Sequence, residues 1–315
     1  MKILKTLRKF PESLLTAVAA LVLPLLSRRA IVSMARGLGG LAYRFSRRDR
    51  QVALANLDLV FGDSLSASEK ASIARQSFMR FALVMLDLFW LRRRTAERIA
   101  AWVEVDPVSY GYYRDARPCI VVTGHYGNWE VMGLVGALRG DPCTSVAMPM
   151  ANPFVEWMVS RSRRVTGQGV VSRQGAIKGL LRVLRSGGRT AFVMDQNTLP
   201  AEGGRFVEFF GVPVPISQAI ETLAERTGAA VLFAYCVTGE DGRYSARTMP
   251  PFFAGSQEGT DGNTTVRITR MIEEVIRKDP KQWLWMYKRW KYIPEGASRD
   301  RYPFYARDMT NKEKG

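Results

Sequence analysis

The stretch that decides the fold is Val121-Val122-Thr123-Gly124-His125-Tyr126-Gly127-Asn128-Trp129-Glu130. It continues a β-branched run that begins at Cys119, and it leads into an apolar segment at 131–138. This order predicts a buried strand, a tight glycine turn and a helix packed on a sheet. Ligands bind at the carboxyl ends of strands in open α/β sheets, so His125 and Glu130 are predicted to face a crevice.

His125 is the only histidine among 315 residues, and Glu130 follows it five positions later. An imidazole accepts a proton near neutral pH, and a nearby carboxylate can fix its tautomer and stabilise the imidazolium. His125 is therefore predicted to be a general base, and Glu130 the carboxylate that orients it. The alternative interpretation is a structural histidine bonded to a nearby carbonyl.

The charge of the chain limits the classes of partner. The formal net charge is +17, and 47% of the residues are hydrophobic. A folded chain this basic points to nucleic acid, an anionic membrane surface or an acidic protein. The sequence contains no zinc-finger spacing, RNP-type aromatic motif or basic heptad region, so a membrane and an acidic carrier are favoured over nucleic acid.

The three cysteines, Cys119, Cys143 and Cys236, form no Cys-x-x-Cys pair. Together with a single histidine, this set nearly excludes a zinc site, and it predicts reduced thiols in the cytoplasm. No cofactor is expected.

The N-terminus combines basic residues with an apolar run at 14–26, which contains Pro24 and is followed by Arg28-Arg29. The run is shorter than the roughly 20 residues of a membrane-spanning helix, and positive charge flanks both ends. These features predict a helix that lies in the membrane interface with its cations on lipid phosphates. A true span, a soluble helix and a signal peptide remain alternatives.

Strands alternate with helices through the centre of the chain, which predicts a mostly parallel sheet covered by helices. The predicted strands are 119–123, 143–148, 190–195 and 230–237, and the predicted helices lie near 129–138, 153–165, 174–186, 216–227 and 262–278. The chain divides into a membrane-anchoring segment (1–45), a helical subdomain (46–109), an α/β core (110–293) and a polar tail (294–315) that is partly ordered at best.

Within the helical subdomain, Ser66 and Glu69 form a capping-box pattern ahead of a helix that runs to about Trp90. The apolar face of this helix is predicted to pack in the core or, alternatively, to meet acyl chains. The run Arg92-Arg93-Arg94 follows directly, either as a solvated helix end or as a contact for phosphate.

Polar residues end another predicted strand. Asp195 and Gln196 follow the run 190–194, which places Asp195 at the same sheet edge as His125 if the two strands are parallel. There Asp195 would orient an acceptor or buttress the surroundings of His125. The alternative is a turn aspartate that caps its own loop.

Two aromatic segments follow in the chain. The loop 203–213 carries Arg205, Phe209 and Phe210 between glycines, and it is predicted to hold an acyl chain or, alternatively, to pack in the core or move as a lid. The segment 282–291 interleaves tryptophans with basic residues, which suits nucleic-acid bases or a lipid interface. Its basic residues are predicted to face phosphate.

The stretch Gly124–Glu130 resembles the signature of the late acyltransferases of lipid A biosynthesis, the lauroyl- and myristoyltransferases. Their His-x4-Asp/Glu motif is shared with glycerol-3-phosphate acyltransferases. Further segments resemble the family in the same order along the chain: 55–61, 152–157, 195–197, 203–213 and 282–291. The resemblance implies an α/β fold like that of the glycerol-3-phosphate acyltransferases.

The resemblance also implies an activity, that of a membrane-associated O-acyltransferase. Its donor would be an acyl-carrier-protein thioester and its acceptor a hydroxyl of a lipid A precursor. His125 would deprotonate that hydroxyl as it attacks, Glu130 would orient His125, and no covalent enzyme intermediate would form. The implied partners are acyl carrier protein, anionic membrane lipid and a glycolipid acceptor, without nucleic acid, at the cytoplasmic face of the inner membrane.

The resemblance assigns binding residues as well. The family has a functional arginine about ten residues after an Asn-Pro pair, here Asn152-Pro153, and Arg163 or its neighbour Arg164 is the nearest match. Such an arginine would hold a phosphate, or it would only complement a helix dipole. The predicted substrate-binding residues are Asn128, Arg163, Arg164, Asp195, Gln196, Arg205, Phe209 and Phe210. Another acceptor, such as a phosphatidylinositol mannoside, and a non-catalytic protein bound to anionic membranes remain alternatives.

Overall fold

A seven-stranded sheet forms the centre of the protein, whose computed structural model describes residues 16–147, 153–172, 175–256 and 263–314. The strands are β1 (Val103–Val105), β2 (Cys119–Thr123), β3 (Thr144–Ala147), β4 (Gly169–Ser172), β5 (Arg189–Val193), β6 (Gly204–Phe209), β7 (Val212–Ser217), β8 (Ala230–Thr238), β9 (Tyr244–Thr248), β10 (Tyr292–Ile293) and β11 (Arg307–Asp308). The α-helices are α1, described over 16–22, α2 (Arg28–Phe45), α3 (Arg47–Phe61), α4 (Ala67–Trp90), α5 (Thr95–Trp102), α6 (Pro107–Asp115), α7 (Trp129–Leu138), α8 (Pro153–Val165), α9 (Ala176–Arg185), α10 (Ala219–Thr227), α11 (Thr264–Lys278) and α12 (Asn311–Lys314).

The sheet has the order β1-β9-β8-β2-β5-β3-β4. The strands from β8 to β4 pair in parallel, whereas β9 is antiparallel to β8, and β1 is parallel to β9. β2 is the middle strand of the seven, and all five of its residues are buried. The prediction of a mostly parallel sheet covered by helices is confirmed.

The apolar runs that predict strands form β2, β3, β5 and β8, because their β-branched residues fit a sheet that is buried on both faces. The strands β1, β4 and β9 are not predicted. They are three to five residues long and lie toward the edges of the sheet, and the burial of β9 alternates along the strand. Such short strands carry too few apolar residues to stand out in the sequence.

The predicted loop 203–213 is a hairpin in which β6 and β7 pair antiparallel. Its turn is formed by Phe210 and Gly211, which have φ angles of 51° and 73°. The predicted loop is therefore two paired strands joined by a tight turn.

The N-terminal helices pack on the long helix α4. Ser66 and Glu69 form the predicted capping box at the start of α4. The buried face of α2 includes Ile31 and Ala35, and at Gly39 the two backbones approach so closely that an added Cβ would lie 2.4 Å from the Cα of Met79. The part of α2 that the sequence assigned to a separate anchor is therefore joined to the helical subdomain.

Among the described residues, none of the helices combines the length and hydropathy that crossing a bilayer requires. The helix α2 nevertheless exposes a row of large apolar side chains spaced three or four residues apart: Met34, Leu38, Leu41 and Phe45. The predicted interfacial run 14–26 begins outside the described residues. Asn152 of the predicted Asn-Pro pair also lies outside them.

The polar tail is more ordered than its composition predicts. Strands β10 and β11 pair in parallel. Tyr302 is buried, and its hydroxyl donates to the Pro213 carbonyl oxygen at 2.9 Å. Buried aromatic side chains in the tail supply the packing that a count of charged residues does not reveal.

Candidate active site

The turn after β2 is fixed by close backbone contacts. Gly127 has a φ angle of 61°, and a Cβ added there would lie 1.8 Å from the Cys236 carbonyl oxygen. The Gly127 N–H donates to the Gln282 carbonyl oxygen at 2.9 Å, and the Leu284 N–H donates to the His125 carbonyl oxygen at 3.1 Å. A side chain at position 127 is therefore excluded, and the backbone of His125 is held between β8 and the segment after α11.

His125 contacts Asp195, which follows the neighbouring strand β5. The ring Nδ1 lies 2.7 Å from Asp195 Oδ1, and the backbone N–H of His125 donates to Asp195 Oδ2 at 2.8 Å. The indole N–H of Trp283 also donates to Asp195 Oδ2, at 2.8 Å. The carboxylate is 3% exposed, so three N–H groups surround a buried acceptor.

These contacts determine the tautomer of His125. An ionised carboxylate accepts hydrogen bonds and donates none, so the Nδ1 beside Asp195 carries the proton. Neutral His125 then has its lone pair on Nε2, where the Gln196 side-chain nitrogen lies 3.5 Å away. The base is therefore presented on the ring atom that points away from Asp195.

The pKa values of the pair shift in opposite directions. Burial lowers the pKa of His125, but the charge of Asp195, its hydrogen bond and the charge of Glu130 outweigh that effect and raise the pKa above 6.5. Burial raises the pKa of Asp195, but His125 and the hydrogen bond from Trp283 outweigh it and lower the pKa. The buried carboxylate of Asp195 therefore stabilises the imidazolium that forms when His125 takes up a proton.

Glu130 contacts Arg163 rather than the His125 ring. One guanidinium nitrogen of Arg163 lies 3.0 Å and 3.1 Å from the two carboxylate oxygens of Glu130. The two side chains are 22% and 24% exposed, so the pair is only partly shielded from water. The expectation that Glu130 holds the histidine ring is wrong in this geometry, because Asp195 occupies Nδ1; Glu130 acts on His125 through its charge.

A narrow crevice of about 30 Å³ opens beside Glu130 and Arg163. It is lined by Val84, Asp87, Leu88, Leu91, Asn128, Glu130, Leu134, Val159, Arg163 and Gln168. Much of its apolar wall belongs to α4 and the residue after it. The crevice therefore joins an apolar wall to the Glu130–Arg163 ion pair.

The sequence of the whole chain decides the family. Residues 2–292 match the model of the bacterial lipid A biosynthesis acyltransferases. The chain belongs to this family. It is 27% identical over 271 residues to a lipid A biosynthesis palmitoleoyltransferase of Escherichia coli K12, covering 83% of this chain and 85% of that protein. It is 26% identical over 275 residues to a lauroyltransferase of the same strain (83% and 85%) and 24% identical over 275 residues to a myristoyltransferase (86% and 83%).

In this acyltransferase, Asn128 serves the fold. It is 1% exposed, and its side-chain oxygen accepts the Val131 N–H at 3.2 Å as the N-cap of α7. Its amide nitrogen lies 3.0 Å from the Tyr244 hydroxyl and 3.4 Å from Asp87 Oδ2. These contacts occupy its polar atoms, so Asn128 caps the helix that carries Glu130; it also lines the crevice, and its role in binding substrate stays a prediction.

The remaining predicted polar residues have different surroundings. Gln196 is exposed and next to Nε2 of His125. Arg164 is exposed in the last turn of α8, whereas Arg205 contacts Glu221 of α10 at 3.1 Å. In the described ranges, no three His, Cys, Asp or Glu side chains gather in a way that could hold a metal ion.

The two phenylalanines predicted to bind substrate pack inside the acyltransferase. Phe209 is 1% exposed, and its ring stacks on Trp290 with centroids 5.6 Å apart. The Phe210 backbone N–H donates to Glu273 at 2.6 Å, and Arg277 lies over the Phe210 ring at 4.7 Å. Phe209 therefore cannot line an open acyl site as predicted, and the core-packing alternative describes the hairpin.

The segment 282–291 supports the site from behind. Arg289 is 1% exposed and donates to Asn197 Oδ1 at 2.8 Å, so the prediction that it faces phosphate is wrong. Burial lowers its pKa to about 10. Asn56 of α3 donates to the Trp285 carbonyl oxygen at 2.7 Å and fixes the same segment. The supporting roles of Trp283 and Asn56 depend on contacts far apart in sequence. The family resemblance of 282–291 and 55–61 marks the segments but does not reveal these contacts.

Proposed function

We propose that this acyltransferase moves a fatty acyl chain from acyl carrier protein to a hydroxyl of a lipid A precursor, with His125 as general base. The observation that carries the proposal is the fixed tautomer of His125, whose Nδ1 is held by buried Asp195 while Nε2 stays available. The family of the chain supplies the acyl-transfer chemistry. No cofactor beyond the acyl donor enters the reaction.

The reaction proceeds in two proton-coupled steps. Nε2 of His125 takes the proton of the acceptor hydroxyl as the oxygen attacks the thioester carbonyl and forms a tetrahedral intermediate. The intermediate collapses, the C–S bond breaks, and the imidazolium returns its proton to the departing thiolate. Asp195 stabilises the imidazolium between the two steps, as its charge already does by raising the pKa of His125. No acyl-enzyme forms.

We place the hydrocarbon part of the donor along the apolar wall of the crevice. Val84, Leu88 and Leu91 supply an apolar wall, and the Glu130–Arg163 pair lies next to them. An apolar chain gains free energy by leaving water along such a wall. Glu130 adds negative charge close to His125, and Arg163 keeps the Glu130 carboxylate in place. We infer that the Glu130–Arg163 pair keeps the Glu130 charge close to the site of reaction, while the apolar wall binds the acyl chain of the donor.

The charge of the protein fits both partners. The formal charge of +17 attracts an acidic carrier protein and an anionic membrane, where the lipid acceptor resides. The exposed apolar row on α2 adds a surface suited to the bilayer interface. We propose that the protein works on the cytoplasmic face of the inner membrane, where an acyl carrier protein is available.

A transfer assay with the purified full chain tests the proposal. Acyl carrier protein loaded with one fatty acid is the donor, a lipid A precursor is the acceptor, and mass spectrometry detects the product. Wild type should give a product heavier by one acyl group, and His125→Ala should lower the rate about 10²–10⁴-fold with an unchanged melting temperature. Full activity in folded His125→Ala would remove His125 from the mechanism.

The same assay separates the alternatives. Product on a phosphatidylinositol mannoside but not on the lipid A precursor would change the acceptor. Transfer from acyl coenzyme A but not from the carrier would change the donor. Membrane binding without transfer to any acceptor would favour the non-catalytic alternative.

A further inference from the structure

Arginines gather where α4 ends, at the mouth of the crevice. Leu91 lines the crevice, and Arg92 follows it in the chain. On the opposite side, Val159 and Arg163 of α8 line the crevice, and Arg161 lies between them on the exposed side of that helix. Arg92 and Arg161 thus lie on two elements that line the same crevice, and burial, followed by the charge of Arg161, lowers the pKa of Arg92.

Positive charge is in excess around this point. Arg94 pairs with Glu97 at 2.5 Å, but Arg93 and Arg94 still lower the pKa of Arg98 after the larger effect of burial. Arg98 is fixed beneath them, because it donates to the Pro24 carbonyl oxygen at 2.7 Å and lies 4.1 Å from the centre of the Trp90 ring. Holding like charges together costs free energy that a bound anion would recover.

Exposed apolar side chains border the arginines. Trp157 is 49% exposed, and the Arg161 guanidinium carbon lies 5.9 Å from its ring centre. On the other side, Leu21 and Leu25 are 74% and 65% exposed, next to the Pro24 backbone that Arg98 holds. Tryptophan beside arginine is the combination found at the level of lipid headgroups, where a ring meets the acyl boundary and a cation meets phosphate.

We propose that this surface, the arginine–tryptophan rim formed by Arg92, Arg93, Arg98, Trp157 and Arg161, docks on the phosphate headgroups of an anionic bilayer. The rim brings the mouth of the crevice to the membrane surface, so that a lipid acceptor reaches the site without leaving the interface. The inference rests on the proposed function only in taking the acceptor from a membrane.

A lipid surface accounts for the rim better than an acidic protein does. An acidic protein would pair with the arginines, but it would leave no reason for Trp157, Leu21 and Leu25 to be exposed beside them. Single exposed apolar residues are common, but here three of them flank one cationic cluster at the entrance to a crevice. A bilayer satisfies both kinds of side chain at once.

The experiment measures binding of the full chain to lipid vesicles without any substrate. Vesicles of phosphatidylethanolamine are compared with vesicles that also contain phosphatidylglycerol, at moderate salt. The rim variant is Arg92→Gln, Arg93→Gln, Arg161→Gln. The matched control is Lys178→Gln, Arg182→Gln, Arg185→Gln, which removes the same net charge from exposed positions on α9, a helix that supplies no residue to the crevice lining.

The rim variant should lose most of the preference for phosphatidylglycerol vesicles. A basic residue near an anionic surface contributes roughly fivefold in affinity, so three should contribute on the order of 100-fold. The control should change binding less than about threefold and leave transferase activity unchanged, and high salt should narrow the gap between the variants. Equal losses in the rim and control variants would overturn the proposal, because net charge alone would then explain binding.

Two further outcomes have definite meanings. Unchanged vesicle binding of the rim variant, with weakened capture by acyl carrier protein, would assign the surface to the carrier and overturn the membrane assignment. Absence of transferase activity in wild type, with rim-dependent vesicle binding intact, would contradict the proposed function and leave the docking surface standing.

Trp157 provides an independent readout. Of the seven tryptophans, all of which are described, it is the one with a large exposed fraction. Vesicles with phosphatidylglycerol should shift the tryptophan emission of wild type to shorter wavelength, and Trp157→Phe should remove most of that shift. A shift that survives in Trp157→Phe would place the membrane contact elsewhere.

Discussion

Asp195 and Asp87 are two buried carboxylates with different partners. Asp195 is 3% exposed at the end of β5, and it meets the ring of His125 and the indole of Trp283. Asp87 is 1% exposed on α4, where it forms an ion pair with Arg28 and accepts a hydrogen bond from the Tyr244 hydroxyl. One carboxylate faces a group that titrates near neutral pH, and the other faces a permanent cation.

The electrostatic consequences differ accordingly. Burial raises the pKa of Asp195, but His125 and the surrounding N–H groups outweigh it and lower the pKa. For Asp87, burial also raises the pKa, and Arg28 and Tyr244 offset it only in part. The Arg28 guanidinium is enclosed by aromatic rings, with Trp90 at 4.8 Å. A buried carboxylate therefore indicates chemistry when its partner can exchange a proton, and structure when it cannot.

The largest predicted effect comes from Asp195→Asn. An amide carries no charge to stabilise the imidazolium, and its NH₂ can turn toward Nδ1 and force the proton onto Nε2. The rate constant kcat should fall about 10²–10⁴-fold with a modest change in melting temperature. Steady-state kinetics and thermal unfolding on the same preparation measure both. A fully active Asp195→Asn enzyme would show that the His125–Asp195 contact has no part in catalysis.

Asp87→Asn should show the opposite pattern. Arg28 would remain buried with the Gly242 carbonyl oxygen but without its counter-charge, which costs about 3–5 kcal/mol of unfolding free energy. Denaturant unfolding measures the loss, and kcat per folded molecule should change little. The double variant Arg28→Met, Asp87→Asn is the control, because it leaves no buried cation and should recover part of the loss. A large fall in kcat with normal stability would contradict the structural role of Asp87.

The fold could be predicted in its central part because burial and sequence pattern agree there. Each strand of the run from β8 to β5 carries consecutive apolar residues, and α4 carries a capping box and a helical apolar face. The edge strands and the β6–β7 hairpin depend on pairing between segments that look polar or irregular when taken alone. The ordered tail depends on pockets for Tyr302 and Tyr305 that only the folded protein provides.

The residues of the site could be predicted from the sequence, but which side chains contact each other could not. Sequence proximity favours Glu130 as the partner of His125, whereas the fold selects Asp195. Strands β2 and β5 pair in the register Thr123 with Val193, so the residues two positions later, His125 and Asp195, become neighbours. Strand order is a property of the whole sheet, and the sequence contains no local mark of it. Glu130 lies in the first turn of α7, where Arg163 reaches it.

A smaller effect is predicted for the exposed counterpart of the Arg28–Asp87 pair. Arg163 and Glu130 are partly exposed, so Arg163→Ala should cost less than about 1 kcal/mol of unfolding free energy. Because the pair lines the crevice, kcat/KM should fall about tenfold, which corresponds to roughly 1.4 kcal/mol. Arg163→Lys keeps the charge but replaces the planar guanidinium by a compact ammonium, and it should recover only part of that loss. If Arg163→Ala has normal kinetics, the pair does not act on the substrate.

The smallest predicted effect concerns Trp283, and it separates the donors around Asp195. The acid limb of the pH profile of kcat/KM reports protonation of His125, so in wild type it should lie above the ordinary histidine value of 6.5. Asp195→Asn removes the main cause that raises this pKa while burial still lowers it, so its residual activity should show an acid limb at lower pH.

Trp283→Phe should move the acid limb the other way. Without the indole N–H, the Asp195 charge is shared by fewer donors and acts more strongly on the imidazolium, so the limb should rise by a fraction of a pH unit. The control is Trp285→Phe, because Trp285 is equally buried and donates to the Pro280 carbonyl oxygen at 2.6 Å rather than to Asp195. Both variants lose similar packing, so a shift of the limb in Trp283→Phe alone isolates the hydrogen bond. If the acid limb moves equally in Trp283→Phe and Trp285→Phe, packing of the tryptophan cluster governs the pKa of His125, and the indole N–H of Trp283 has no separate role.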